Sequence, residues 1–497
     1  LDAKATNVDG LSDALVENNS IYVGSAPSST TEDASYNVAL GTTALDATTS
    51  GDRNVAVGYN SLTANTTGAQ NTSLGFLSLG SNTTGEYNIA IGAYALDDAV
   101  DASSNLAIGY AALGDEMTGG GYNVGIGNYS LNKNTTGNYN TALGMSSMSQ
   151  NTTGGLNTAN GYRALRQNTT GGSNTAIGSN SLKSNTTGTR NIGIGAGSLD
   201  GADTENDNIG IGYNALGGSV DGGEYNVAIG NYSLDENVSG DYNVAVGYNS
   251  LTANTTASYV TALGGNALKA NTTGNGNTAV GTNAMESNTT GASNTVMGWN
   301  ALVTNTTGSN NLAMGVNTMF YNTTGYKNVA LGDYGLWSNT EGMENVAISG
   351  NSSLYKNTTG SQNIAIGAAS LYNNETGNYN IAIGRSSLYS NTASNNVGIG
   401  HESLKSNTTG YRNVALGYHG LWSNTEGIEN VAISGNSSLY KNTTGKQNVA
   451  IGALSLYNNE TGNYNIAIGR ASLYSNTASN NVGIGSESLR SKTTGNN

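Results

Sequence analysis

Asn54-Val55-Ala56-Val57-Gly58-Tyr59-Asn60-Ser61-Leu62-Thr63-Ala64-Asn65-Thr66-Thr67-Gly68-Ala69-Gln70 is one unit of a pattern that fills most of a 497-residue chain. Its first five residues alternate with the two-residue period of a β-strand. Val55 and Val57 therefore share one face, and Asn54, Ala56 and Gly58 the other. The run Asn65-Thr66-Thr67-Gly68 is turn chemistry, because Gly reaches positive φ without strain and Asn bonds nearby backbone.

The anchor Asn returns at Asn37, Asn71, Asn88 and Asn105 and onward to Asn481, with Val260 standing in once. There are 27 units; the numbering advances by 17 at twenty of the 26 intervals, by 18 at four and by 16 at two. The consensus is N-x-A-x-G-x-x-S-L-x-x-N-T-T-G-x-x, and Asn-Thr-Thr-Gly occurs thirteen times in the same phase. A unit this short cannot bury an apolar face alone, but stacked neighbours can share a narrow continuous core. The expected fold is all-β: an elongated β-solenoid of 17-residue coils, rising about 4.8 Å per coil to a rod on the order of 130 Å. Gly and β-branched residues in every unit argue against a helical repeat. We expect the apolar second and fourth places to fill each coil, with the flat Ala/Gly face left for close sheet-to-sheet approach by another chain.

Two of the four longer steps are compensated by a shorter one two coils on. The coil from Asn345 is one residue longer than the standard unit, that from Asn363 is standard, and that from Asn380 is one residue shorter; the series repeats from Asn430. The extra residue lies in Ile348-Ser349-Gly350 and reads as a bulge. The missing one lies in Thr392-Ala393-Ser394, a shortened turn. Residues 346–400 match 431–485 with four differences, an offset of five whole coils. Solenoids accept whole added coils in this way.

Composition narrows the function. The chain has 71 Gly, one Pro, no Cys, 10% charged residues and a net charge of −15. With no basic run, a nucleic-acid groove is disfavoured. No stretch of 18 apolar residues exists to span a membrane. The chain opens at Leu1 and closes at Asn497 within its repeat, which reads as a cut through a longer molecule.

No catalytic residues, cofactor or metal site is legible. His401 and His419 are the only histidines; they lie in different coils and read as exposed loop residues. No Ser or Thr has a His–Asp partner. Ligand sets for Zn²⁺ and Ca²⁺ are absent from the local sequence. Asp97, Asp98 and Asp101, and Asp203, Glu205 and Asp207, replace the usual turn and could in principle pair for glycoside cleavage; they read as solvated turn variants. The many Asn-x-Thr sequons read as turn and ladder residues rather than glycan acceptors. The paired Thr do not suit an ice-binding array, since adjacent strand residues face opposite ways.

The tenth place is more informative. It is polar or small in most units up to Val303, then aromatic at Phe320, Trp337, Tyr355, Tyr372, Tyr389, Trp422, Tyr440, Tyr457 and Tyr474, interrupted by Lys405 and Arg490. This column is either a structural ladder or a stripe that recognises sugar or protein. Its onset divides the chain into a lead-in and cap (1–35), a shaft with a polar tenth place (36–319) and a shaft with the aromatic column (320–497).

The units Asn226–Gly230 and Asn448–Gly452 resemble head repeats of trimeric autotransporter adhesins. The unit with its Asn-Thr-Thr-Gly turn resembles the repeats of tail fibres and virion structural proteins of marine phages, including cyanophages. Residues Leu11–Gly24 look like the lead-in to such repeats. The resemblance implies a parallel homotrimer displayed on a virion. Its partners would be other tail or baseplate proteins and a host-surface glycan or protein, without nucleic acid or membrane insertion. The implied role is a tail-fibre shaft that extends host recognition; a bacterial surface adhesin binding along its side is the alternative.

Overall fold

A computed structural model describes residues 14–24, 27–28, 33–115, 117–218, 222–491 and 493. Residues 1–13, including the start of the expected lead-in, lie outside these. The described residues contain strands and turns but no helix. The fold is a parallel β-solenoid of about 27 coils, each contributing one short strand, mostly of three residues. The chain divides into two compact units, 1–245 and 246–497.

In the first unit an antiparallel hairpin pairs Ala14–Glu17 with Ser20–Val23. Asn18 and Asn19 turn it with φ of 47° and 60°, the left-handed pair that two-residue hairpin loops favour. Ser20–Val23 then pairs in parallel with Val38–Leu40, which starts the stack. From there to Val227–Ile229 each strand pairs with the next coil residue for residue, as in Val38↔Val55 and Ala39↔Ala56. The second unit stacks in the same way from Thr261–Leu263 to Val482–Ile484.

The expected assignment of faces is inverted. Ala56, Ala90, Ala142 and Ala365 are fully buried, whereas Val55, Ile89, Leu143 and Ile366 are 36–42% exposed. A coil this short is too thin to hold two β-branched side chains and the ninth-place Leu together. Leu fills the interior, Ala closes over it, and the second and fourth places point outward. Alternation shows which residues share a face, but it does not say which face lies inside.

What pulls the small face inward is asparagine. Asn54 donates its backbone N–H to Asn37 Oδ1 (2.8 Å) and its own Nδ2–H to the carbonyl of Gly68 (2.9 Å). Asn71 repeats the pattern on Asn54, as do most anchors, forming a buried amide ladder. A second ladder runs through the twelfth place. Asn82 Nδ2 donates to Asn65 Oδ1 (2.9 Å), and Asn305 Nδ2 to Asn288 Oδ1 (2.7 Å). Twelfth-place amides also bond the Gly carbonyl three residues on, as Asn65 does with Gly68 (3.0 Å). Buried amides are costly unless bonded; here most coils satisfy their neighbour, and an acceptor is left over where the ladder is interrupted, as at Asn82 Oδ1 and Asn185 Oδ1, where the next coil carries Ala99 or Ala202. These asparagines include those of the Asn-Thr-Thr sequons, and Asn65, Asn82 and Asn305 have no exposure, so a glycan could be attached only to an opened coil.

The ninth-place Leu or Met is left-handed in every coil, from Leu45 (φ 55°) to Leu489 (φ 48°). That conformation costs a side-chain-bearing residue about 1–2 kcal/mol. Burying a leucine contributes about 1.5–3 kcal/mol, and Leu62, Leu182 and Leu388 are fully buried. The place therefore needs a large apolar side chain to hold its own backbone.

The irregular coils behave as their sequence suggests. Ser434 and Gly435 bulge within the strand Val431–Asn436, opposite the single Gly417, where register with Val414–Tyr418 shifts between Leu416 and Tyr418. In the shortened turn, Ala393 takes over the Gly role: its carbonyl accepts from Asn380 Nδ2 (2.8 Å) and Asn391 Nδ2 (2.7 Å).

Candidate functional site

Residues at one place in successive coils lie about 4.8 Å apart along the stack, slightly more than the thickness of an aromatic ring. Rings that share a place therefore stack. Trp337, Tyr355, Tyr372 and Tyr389 form one ladder with centroids 5.0–5.1 Å apart and planes within 10°. Trp422, Tyr440, Tyr457 and Tyr474 form a second, at 5.1–5.3 Å and within 8°. Phe320 meets Trp337 at a tilt of 31° and 6.2 Å, with Tyr321 set edge-on to both. The ladder stays in register through the bulge at Ser349-Gly350 because the extra residue is absorbed before the tenth place.

All nine column residues are half-buried. Their faces cover one another, leaving edges and hydroxyls outward. Cations flank the ladders: Lys405 lies 5.8 Å from the Trp422 ring and Arg490 5.8 Å from Tyr474. Lys356 and Lys441 lie 5.9 Å from Tyr372 and Tyr457. Burial pushes the Tyr355 and Tyr440 phenols up, with the next tyrosine along each ladder adding to it. Both hydroxyls thus stay neutral donors.

A more exposed set of aromatics escaped the sequence reading. The residue before the anchor Asn is often Tyr, as in Tyr122, Tyr139, Tyr379 and Tyr464; Tyr259 holds the same place before Val260, and the five are 57–68% exposed. Tyr122 and Tyr139 stack at 5.1 Å, and Tyr225 and Tyr242 at 4.9 Å. The recurrent Tyr-Asn pair was the available signal.

The acidic turns serve structure. Glu205 is buried, and its carboxylate accepts from the N–H groups of Asp203 (2.9 Å), Thr204 (3.1 Å) and Gly222 (3.0 Å). Asp207 is held by Arg190 through bonds of 2.6 and 2.7 Å. Asp101 caps the N–H of Gly119 (3.1 Å). Asp97 differs: burial, aided by the neighbouring Asp98 charge, pushes its carboxyl up to about 7.

The two histidines are not separate exposed loop residues. Residues 17 apart stack, so an 18-residue separation places side chains side by side on adjacent coils. His401 and Glu402 follow the strand Val397–Ile399, and His419 follows the Gly of the next coil and sits over Glu402. Their ligand atoms all lie within 4.8 Å of one another, and all three residues are half-buried. His419 Nε2 is 3.2 Å from Glu402 Oε2. That oxygen also accepts from Trp422 Nε1 (3.0 Å), while Oε1 accepts from Lys405 Nζ (2.7 Å). The Lys405 hydrogen bond, with that from Trp422, holds the Glu402 carboxyl down at about 2. Burial lowers His419, against the opposing pull of Glu402. Its ring stacks on Tyr418 at 3.8 Å and lies 5.9 Å from the ring of His401.

No protein-family profile and no curated protein sequence matches the chain.

Proposed function

We propose that this chain is the structural shaft of a phage tail fibre, assembled as a parallel homotrimer that extends host recognition away from the virion. The carrying observation is the outward apolar strand face. Val55, Leu74, Ile89, Leu143, Met297 and Ile451 lie on it at 36–48% exposure, and coil after coil repeats the arrangement. Monomeric soluble proteins rarely expose contiguous apolar surface on this scale. The coil interior is closed to a partner, since most of its amides bond one another and Leu and Ala fill the rest. A partner is needed only on the strand face, and flat, repeating strands suit a second and third copy of the same chain in register. The number three follows from the resemblance to trimeric adhesin and tail-fibre repeats. In this role the chain has no enzymatic activity; its work is mechanical.

Sedimentation equilibrium tests the assembly. The unmodified chain is expected to run as a trimer. A double variant, Ile366→Lys with Ile451→Lys, is expected to run as a folded monomer with unchanged circular dichroism. A monomeric unmodified chain sinks the assembly. Immunogold labelling of the producing culture tests the place: label on virion tail appendages supports the shaft. Label on the bacterial envelope instead turns the reading to a surface adhesin, for which the exposed Tyr259, Tyr379 and Tyr464 would be the contact residues.

A further inference from the structure

We infer that His401, Glu402 and His419 form a binding site for a divalent transition-metal cation, with zinc as its probe. This does not depend on the fibre reading; it rests on side-chain geometry within two neighbouring coils.

Two imidazoles and one carboxylate are a donor set that zinc and its neighbours accept, with remaining positions open to water. The three donor atoms lie within 4.8 Å of one another, so one ion can reach all of them with small rotamer shifts. His419 Nε2 and Glu402 Oε2, 3.2 Å apart, are spaced as a hydrogen bond. They are also spaced as two ligands on one tetrahedral ion, where bonds of about 2.0–2.2 Å set neighbouring donors about 3.3 Å apart. Exchange of the hydrogen bond for a metal requires the His419 ring proton to reside on Nδ1, which frees the Nε2 lone pair.

The surroundings supply what a ligand set needs around it. A coordinating carboxylate is oriented by donors on its other lone pairs. Glu402 has Lys405 Nζ on Oε1 at 2.7 Å and Trp422 Nε1 on Oε2 at 3.0 Å. Lys405 repels a cation, but it bonds the oxygen not shared with His419. Rings hold the imidazoles: Tyr418 packs at 3.8 Å from His419 and 5.4 Å from His401. The half-buried setting leaves a side open for entry.

The internal duplication provides a contrast. Five coils further on, Glu402 has its counterpart in Glu487, and His401 in Ser486. There the carboxylate is met by Arg490 at 3.1 Å and Arg470 at 3.9 Å, a plain ion-pair arrangement. Five coils earlier, His419 has its counterpart in Tyr334. Both histidines of the chain thus converge on one carboxylate, between the two aromatic ladders and at the seam of the repeated block. A bound ion would bridge the coil of Asn396 to the coil of Asn413.

The test is calorimetric titration of the untagged chain with Zn²⁺, read beside Co²⁺ visible absorption, which reports imidazole ligation. The expected result is one ion per chain. His401→Ser and His419→Tyr introduce residues that the solenoid already carries at equivalent places, so the coils are retained; Glu402→Gln removes the anionic ligand. Each is expected to weaken binding at least about tenfold, while Glu487→Gln leaves it unchanged. Trp422→Phe, which keeps the ring stack but removes the N–H, is expected to weaken binding less. The inference is overturned if the unmodified chain binds no zinc at millimolar concentration. It is equally overturned if the histidine variants bind as tightly as the parent, which would assign the ion to surface carboxylates.

Discussion

Replacing Asn305 with Ala interrupts the twelfth-place amide ladder within the second unit. Asn305 Nδ2 donates to Asn288 Oδ1 (2.7 Å) and to the Gly308 carbonyl (2.9 Å), and its Oδ1 accepts from Asn322 Nδ2 (2.8 Å). The Gly308 carbonyl keeps a bond from Asn294 Nδ2 (3.0 Å), and Asn322 keeps its other hydrogen on Gly325 (3.0 Å). Two buried groups are therefore orphaned: Asn288 Oδ1 and one N–H of Asn322. At about 1–3 kcal/mol each, the expected cost is about 2–6 kcal/mol. In a stacked-repeat protein such a loss stays near its origin. Native-state hydrogen exchange should show faster exchange in the coils around residues 288–325, about tenfold for each 1.4 kcal/mol, with distant coils unchanged. Thr307→Ala, at an exposed neighbouring place, is the control and should cost within about 0.5 kcal/mol. If the two variants exchange alike, the twelfth-place ladder does not hold the coils together.

Two further outcomes follow from the same geometry. Gly178 has φ +132°, and a Cβ there would stand 2.5 Å from the carbonyl oxygen of Gly195. Gly178→Ala should therefore cost at least about 2 kcal/mol, whereas Gly265→Ala, whose nearest contact is 4.0 Å away, should be close to neutral in denaturant titration. Asp97, with its carboxyl raised from 3.8 to about 7, keeps in the folded state a proton that the unfolded chain releases. The first unit should lose stability as pH rises from about 4 to 7 and level off above that range. Asp97→Asn should remove this part of the slope, and a melting profile against pH identical to that of the parent would refute the assignment.

Much of the fold was readable from the residues because a solenoid writes its period into the chain. The strand at Asn-x-Ala-x-Gly, the bulge at Ser434-Gly435 and the shortened turn at Ala393 all follow from spacing. The orientation of the strand face did not, because Val55 and Ala56 alternate equally well with either side inward. Only the amide bonds from Asn37 to Asn54 to Asn71 break that tie, and they are tertiary contacts. The left-handed Leu62 was hidden for a related reason: Leu disfavours that backbone, and burial overrides the preference. The histidine cluster was within reach. Reading each residue against those 17 and 18 places away sets His419 over Glu402 and beside His401, a comparison that a search for local metal motifs never makes.

The amide ladders also give the stack a sense of direction. In both, the later coil donates and the earlier one accepts, from Asn54 on Asn37 and from Asn82 on Asn65. No single amide can rotate by half a turn without setting oxygen against oxygen on one side and hydrogen against hydrogen on the other. Relief requires every amide to turn as far as a column end, and the Gly carbonyl beside each one forbids it. Each unbroken run of amides is thus a polar wire, ending where a coil lacks the amide, as at Val260 in the first place and Ala99 and Ala202 in the twelfth, and the two ends of a run are chemically unlike. Coils can be added in register at either end or between any two others, but only pointing the same way.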